Sequence, residues 1–187
     1  MKTLILLIGG TAGVGKTTIG KAVSEKYGIA HRIGTGFIRE IVRNRIGKES
    51  KPVLFTYTFR SDDPVKTIRS QAKILRKDIL SVIKRAEKEG TSIIIEGNHL
   101  LPELFYGVKG TVLVILKVSN SKKHIRMLKG KTHAKRVIDN CDVTNITEIQ
   151  DYLIKTSERK NVHLIENESI SKTTAQIVEI LLKMNHA

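Results

Sequence analysis

Short apolar runs and longer amphipathic stretches alternate along this chain from end to end. "TLILLI", Thr3–Ile8, is a continuous apolar run that meets two glycines, the pattern of a strand covered on both faces of a sheet. A helix is predicted from Gly15 to about Tyr27, stopping near Gly28, then a strand in "IAHRIG" and a helix from about Gly36 to Arg45. "ESKPVLFTYTFRSDD" carries neither period and reads as irregular. The clearest helix begins at Asp63-Pro64, an N-cap residue followed by proline at the first helical position. Val65, Ile68, Ala72, Leu75, Ile79, Val82 and Ala86 then recur in steps of three and four, one face of a long helix ending near Gly90. Its other face carries Lys66, Arg69, Lys73, Arg76, Lys77 and Lys84, as a solvated face would. "TSIIIEG", "TVLVILKVS" and "NVHLIE" read as three more strands, and helices are expected around Thr147–Lys160 and from about Ser171 to Met184. Alternating strands and helices predict an α/β fold, a three-layer sandwich with a parallel sheet of about five strands and helices on both faces. No repeat, low-complexity tract or linker interrupts it, so one domain over residues 1–187 is expected.

Composition changes this picture little. Hydrophobic residues make up 40% of the 187 and aromatic residues only 4%, so the core should be built from Ile, Leu and Val. The opening "MKTLILLIGG" has the lysine and apolar run of a signal peptide, but it runs into glycines rather than a cleavage site and is too short to span a bilayer. It reads as a buried strand. The single Cys141 precludes an internal disulfide and suits a reducing, cytoplasmic setting without membrane attachment. Charge does add something: 33 basic residues against 18 acidic ones leave +15, which predicts anionic partners, whether nucleotides and small phosphorylated acids or a nucleic acid backbone.

The chemistry starts where the first apolar run ends. Gly10, Thr11, Ala12, Gly13, Val14, Gly15, Lys16 and Thr17 match G-x-x-x-x-G-K-[ST] between a predicted strand and a predicted helix, where a P-loop belongs. Glycines let the backbone curl so that successive N–H groups point inward as an anion nest, and the helix N-terminus adds partial positive charge there. Lys16 can reach the outer phosphates, the Thr17 hydroxyl can ligate Mg²⁺, and Thr18 is placed toward the α-phosphate. These features predict the P-loop NTPase fold and a site for ATP with Mg²⁺. An acid at the end of a neighbouring strand helps hold that metal through water, and Glu96, after three isoleucines, is the candidate.

A phosphoryl transferase also needs cations over the phosphates. "SNSKKHIRMLKGKTHAKR" supplies Lys122, Lys123, Arg126, Lys129, Lys131, Lys135 and Arg136, and it lies after the fourth strand, where small P-loop kinases place a mobile lid (about residues 121–137). Arginine's planar fork binds two phosphate oxygens at once, so Arg126 and Arg136 are the catalytic candidates beside Lys16 and Glu96. The same segment could be a basic patch for RNA, but no aromatic side chains are interleaved to stack bases.

With these pieces placed, the chain resembles the 2-phosphoglycerate kinase family of P-loop kinases. "IGTGFIREIVR" is similar to that family's Ser-Thr-Asp, two residues, then Arg-Glu, and "IIIEGNHLLPEL" to its Glu-Gly-x-His-x-x-Pro, matched by Glu96, Gly97, His99 and Pro102. The spacing of His124 and Arg126 and the stretch "EIQDYLIKTSERKNVHLIEN" are also similar. Gly36 departs from the family, which commonly has aspartate there, so the base is open, with Glu96 or Glu40 as substitutes. A second branch, the mevalonate 3-phosphate 5-kinases of acidophilic archaea, also resembles this chain and accommodates both Gly36 and a loop that begins at residue 10, where the 2-phosphoglycerate enzymes are expected to carry an extra N-terminal region. The resemblance implies transfer of the γ-phosphoryl group of ATP to a hydroxyl of a small phosphorylated acid. Mevalonate 3-phosphate, giving mevalonate 3,5-bisphosphate, is the first expectation and 2-phosphoglycerate, giving 2,3-bisphosphoglycerate, the alternative. Either acceptor calls for arginines: Arg39 and Arg43, one turn apart, with Arg60 a third, and with Thr35 and His99 as polar contacts. A nucleoside-monophosphate kinase and a nucleotide-dependent RNA-binding protein are further alternatives, and a second copy of the chain is a possible partner.

Overall fold

The computed structural model describes residues 3–130 and 137–185. Five strands, β1 Ile5–Gly9, β2 His31–Gly34, β3 Ile93–Glu96, β4 Thr111–Lys117 and β5 His163–Glu166, form one sheet in the order β2-β3-β1-β4-β5. Every pairing is parallel, and the register sets Ile8 beside Glu96 on one side and Val114 on the other. The helices are α1 Lys16–Tyr27, α2 Thr35–Ile46, α3 Pro64–Glu89, α4 Pro102–Phe105, α5 Ser121–Leu128, α6 Asn140–Lys160 and α7 Ile170–Asn185.

Alternation along β1 explains the three layers. Leu6 and Ile8 pack on one face with Ile19 and Val23 of α1 and Ile177 and Leu181 of α7. Ile5 and Leu7 pack on the other with Ile68, Leu75 and Ile79 of α3 and Ile149 and Leu153 of α6. Both faces of β1 are therefore dry, and each such side chain contributes ~1.5–3 kcal/mol of apolar burial.

The long helix matches its expected bounds: Asp63 caps it by accepting from the Lys66 N–H, Pro64 is its first residue, and Gly90 closes it in the left-handed region at φ 64. Three expectations change. The irregular segment holds two 3₁₀ turns, Pro52–Phe55 and Thr58–Arg60. Ser121–Leu128 is helical, capped by the Asn120 side chain. The helix expected near Thr147 begins at Asn140, because Asp139 and Asp142 form a reciprocal capping box ahead of it.

Candidate active site

The central strand delivers the phosphate-binding loop to the carboxyl edge of the sheet. Gly10, Gly13 and Gly15 have φ of 139°, 77° and 87°, which only glycine adopts without strain. The N-terminus of α1 opens directly behind them, with Gly15 as its N-cap. Lys16 Nζ donates to the Thr11 carbonyl at 2.6 Å, so the ammonium stays on the loop.

Glu96 closes the other side of this edge. Burial raises its pKa above the usual carboxylate value, while a hydrogen bond from Thr17 and the charges of Lys16 and Arg32 work against that rise. Its Oε2 is buried and finds no hydrogen-bond partner among the described residues. An orphaned carboxylate oxygen next to a threonine hydroxyl suits a hard divalent cation, with phosphate oxygens and water completing the shell. Among the described residues no group of three or more His, Cys, Asp or Glu could hold a metal by itself. The residues here that could hold a Mg²⁺ brought by a nucleotide are Thr17 and, through water, Glu96.

From this edge a cleft of about 720 Å³ runs past the end of β3 to the start of α2. Gly13, Gly15, Lys16, Thr17, Thr18 and Glu96 line it at one end, and Thr35, Gly36, Phe37, Arg39, Tyr57 and Phe59 at the other. Arg39 is half-buried, with its guanidinium 5.9 Å from the centre of the Tyr57 ring.

Beneath that second end lies a hydrogen-bonded chain with only one arrangement of protons. Gln71 Nε2 donates to the carbonyls of Val53 (2.6 Å) and Thr56 (2.8 Å), so its Oε1 must accept. His99 Nε2, 3.0 Å from that oxygen, is therefore the protonated nitrogen. His99 Nδ1 then accepts from Thr35 Oγ1 at 2.9 Å. Burial, followed by the nearby charges of Arg39 and Lys16, pushes the His99 pKa down to about 3 and keeps the ring neutral. Gly97, at φ 156°, is required beside this chain, because a Cβ there would stand 1.8 Å from Thr35 Oγ1.

Not all the expected residues meet in the cleft. The Arg43 guanidinium sits 2.7 Å from Glu40 Oε1 and 4.5 Å over the Phe55 ring, outside the cleft lining. Arg60 is also turned away: Nε lies 3.1 Å from Asp142 Oδ1 and Nη2 donates to the Val137 carbonyl. The physical reason is Asp142, whose side chain is 3% exposed and needs a counter-charge. Thr35 and His99 do line the cleft, as a buried floor: they are 0% and 1% exposed and hydrogen-bonded to each other. Arg126 is exposed on α5 and does not line the cleft, and Arg136 lies outside the described residues. Gln71 escaped sequence reading, although a polar residue on the apolar stripe between Ile68 and Leu75 is a recognisable signal.

Comparison with known proteins agrees with this geometry. A family model described as an AAA domain matches residues 6–152. A 2-phosphoglycerate kinase from Pyrococcus horikoshii is 34% identical over 96% of this chain, and one from Pyrococcus furiosus 33% identical over the same share. A third, from Methanococcus maripaludis strain C6, is 28% identical. The chain spans 64% of the length of each of these relatives. Among solved structures, TT1252 from Thermus thermophilus superposes with a TM-score of 0.61 at 15% identity, covering 98% of both chains. A shikimate kinase from Acinetobacter baumannii, in complex with shikimate, gives 0.59 at 12% identity, covering 97% of this chain and 95% of its own. Those two likenesses establish the P-loop NTPase-like fold. With its phosphate-binding loop at the carboxyl end of the central parallel strand and a family model matched over residues 6–152, the chain belongs to the AAA-domain family of P-loop proteins.

Proposed function

We propose that this protein is an ATP-dependent phosphotransferase whose acceptor is a hydroxyl on a small phosphorylated acid, with 2-phosphoglycerate the first candidate. The observation that carries this reading is one continuous cleft: the P-loop, Thr17 and Glu96 stand at one end, and Arg39 at the other. A nucleotide triphosphate and a small anion can lie end to end in such a space. The name shared by the relatives moves 2-phosphoglycerate ahead of mevalonate 3-phosphate, which the sequence reading placed first. Mevalonate 3-phosphate keeps a specific support. A Cβ at Gly36 would meet nothing within 4 Å, and the rings of Phe37, Tyr57 and Phe59 line that end of the cleft, leaving room for a bulkier, partly apolar acceptor.

The P-loop N–H groups and Lys16 hold the transferred phosphoryl group and offset its developing charge. Thr17 and, through water, Glu96 would hold a Mg²⁺, which when bound would supply positive charge to the phosphates. Arg39 holds the acceptor anion so that its hydroxyl faces the γ-phosphorus. The loose transition state asks little of a base, so a glycine at position 36 is tolerable chemically.

ATP and Mg²⁺ with 2-phosphoglycerate, mevalonate 3-phosphate, mevalonate, AMP or a short RNA, followed by phosphorus NMR, will test this. The expected result is a new phosphate ester on one of the two phosphorylated acids. Nucleotide binding without any phosphorylated acceptor would remove the reading and send attention to salt-dependent RNA binding. Arg39→Ala should raise the acceptor KM by ~10-fold or more while leaving the ATP KM unchanged, since a charge-assisted contact is lost. Arg43→Ala should stay within about twofold on both, because its guanidinium is committed to Glu40 and Phe55.

A further inference from the structure

Behind the phosphate-binding loop, two buried side chains, one just past the carboxyl end of β4 and one just past that of β5, reach peptides of the loop. Asn167, in the turn after β5, is 5% exposed, and its Nδ2 donates to the Val14 carbonyl at 2.8 Å. Its Oδ1 accepts from Thr173 Oγ1 at 3.1 Å, so the amide has one orientation with its NH₂ toward the loop. His124, on α5, is 4% exposed, and its Nε2 lies 2.8 Å from the Ala12 carbonyl. A carbonyl only accepts, so Nε2 carries the proton. Lys123 joins the two anchors, donating to the Asn167 carbonyl and, at 2.7 Å, to the Glu168 carbonyl.

Neither anchor is among the residues that line the cleft. Their effect on the loop follows from peptide geometry. In a planar trans peptide the C=O and the next residue's N–H point in opposite directions. Fixing the Ala12 carbonyl aims the Gly13 N–H the other way, and fixing the Val14 carbonyl does the same for the Gly15 N–H. These are nest donors, flanked by glycines whose conformational freedom would otherwise let the peptides turn over. The loop is also shaped to admit the anchors: a Cβ on Gly15 would stand 2.5 Å from Asn167 Nδ2, and one on Gly13 would stand 3.2 Å from His124 Cδ2.

We propose that Asn167 and His124 are positioning residues for the nucleotide phosphates, holding the Ala12 and Val14 carbonyls so that the loop's N–H groups face the ligand before it arrives. Preorganisation of this kind strengthens binding by removing the ordering cost. It acts on the nucleotide alone and does not depend on which acceptor is used.

The test is calorimetric titration of MgADP onto the wild type and the Asn167→Leu, His124→Leu and His124→Gln variants, with thermal unfolding to verify folding. Each leucine variant should bind MgADP roughly fivefold more weakly, the share of one net hydrogen bond. Glutamine can place an N–H near the same carbonyl, so His124→Gln should bind close to wild type. Amide exchange at residues 11–17 in the nucleotide-free protein should quicken in the leucine variants and not in His124→Gln. Leucine variants that fold and bind MgADP within about twofold of wild type would overturn the proposal. So would a His124→Gln variant as weak as His124→Leu. If Asn167→Leu does not fold, the His124 pair decides.

Discussion

Replacing Lys16 by alanine should lower kcat by ~10²–10³ with the fold intact, the loss expected when one preorganised donor to a developing charge is removed. Lys16 is half-buried at the first turn of α1, and its ammonium donates to the Thr11 carbonyl, in its own loop. The expected signature is a large fall in kcat, a smaller change in MgADP affinity and an unchanged unfolding midpoint, read by steady-state kinetics with whichever acid proves to be the acceptor. A variant that keeps more than about a tenth of wild-type kcat would mean that the charge is carried elsewhere, since each such donor supplies several kcal/mol. Lysine to arginine is not a safe control here, because the planar fork does not fill the place of a compact ammonium.

The second large effect concerns acid. Unfolded, the His99 imidazole takes up a proton near pH 6.5, whereas in the folded protein burial holds it off until about pH 3. Between those values the unfolded chain binds more protons, so stability falls as pH falls, by ~1.4 kcal/mol per unit from this group alone. The contribution is fully present above pH 6.5 and is lost on the way down to about 3. Urea unfolding of the wild type and His99→Gln between about pH 7 and pH 5 isolates it, because the carboxylates titrate alike in both. The variant will be less stable at neutral pH, having lost a partner for Thr35 or for Gln71, but its slope should be shallower by that amount. Equal slopes would mean that His99 is reached by solvent and the neutral chain from Gln71 to Thr35 is wrong. Glu96 behaves in the opposite sense: its raised pKa makes the ionised group a cost to the metal-free fold, a cost that a bound cation offsets.

The neutral His99 also shows why part of this site was legible in the chain and part was not. The Glu-Gly-x-His stretch stands out in the sequence, and position 99 reads equally as an acceptor ligand or as a structural group. Only Gln71, 28 residues earlier on α3, and Thr35, at the head of α2, show which it is. Arg43 is the converse case. Spacing puts it on the same helical face as Arg39, but one turn farther along α2 its guanidinium is held by Glu40 and lies over Phe55, and it does not line the cleft itself. Arg60 is drawn off by Asp142, which is 82 residues away in sequence and belongs to a helix start that carried only a weak capping signal.

By itself, then, the sequence determined whatever depends on consecutive residues. The phosphate-binding loop is one such feature, since its glycines, lysine and threonine act through their own backbone and first helical turn. The apolar run of β1 and the apolar stripe of α3 are others, since periods of two and 3.6 residues are properties of a local backbone. Tertiary structure decided which charges face the ligand and which face each other. Arg60 is the clear case, since packing brings Asp142 to 3.1 Å from it, whereas the partner of Arg43 is Glu40, three residues back on its own helix. Tertiary structure also decided that His124 and Asn167, which follow the carboxyl ends of β4 and β5, stand behind Ala12 and Val14, because the order β1-β4-β5 sets those ends beside the loop.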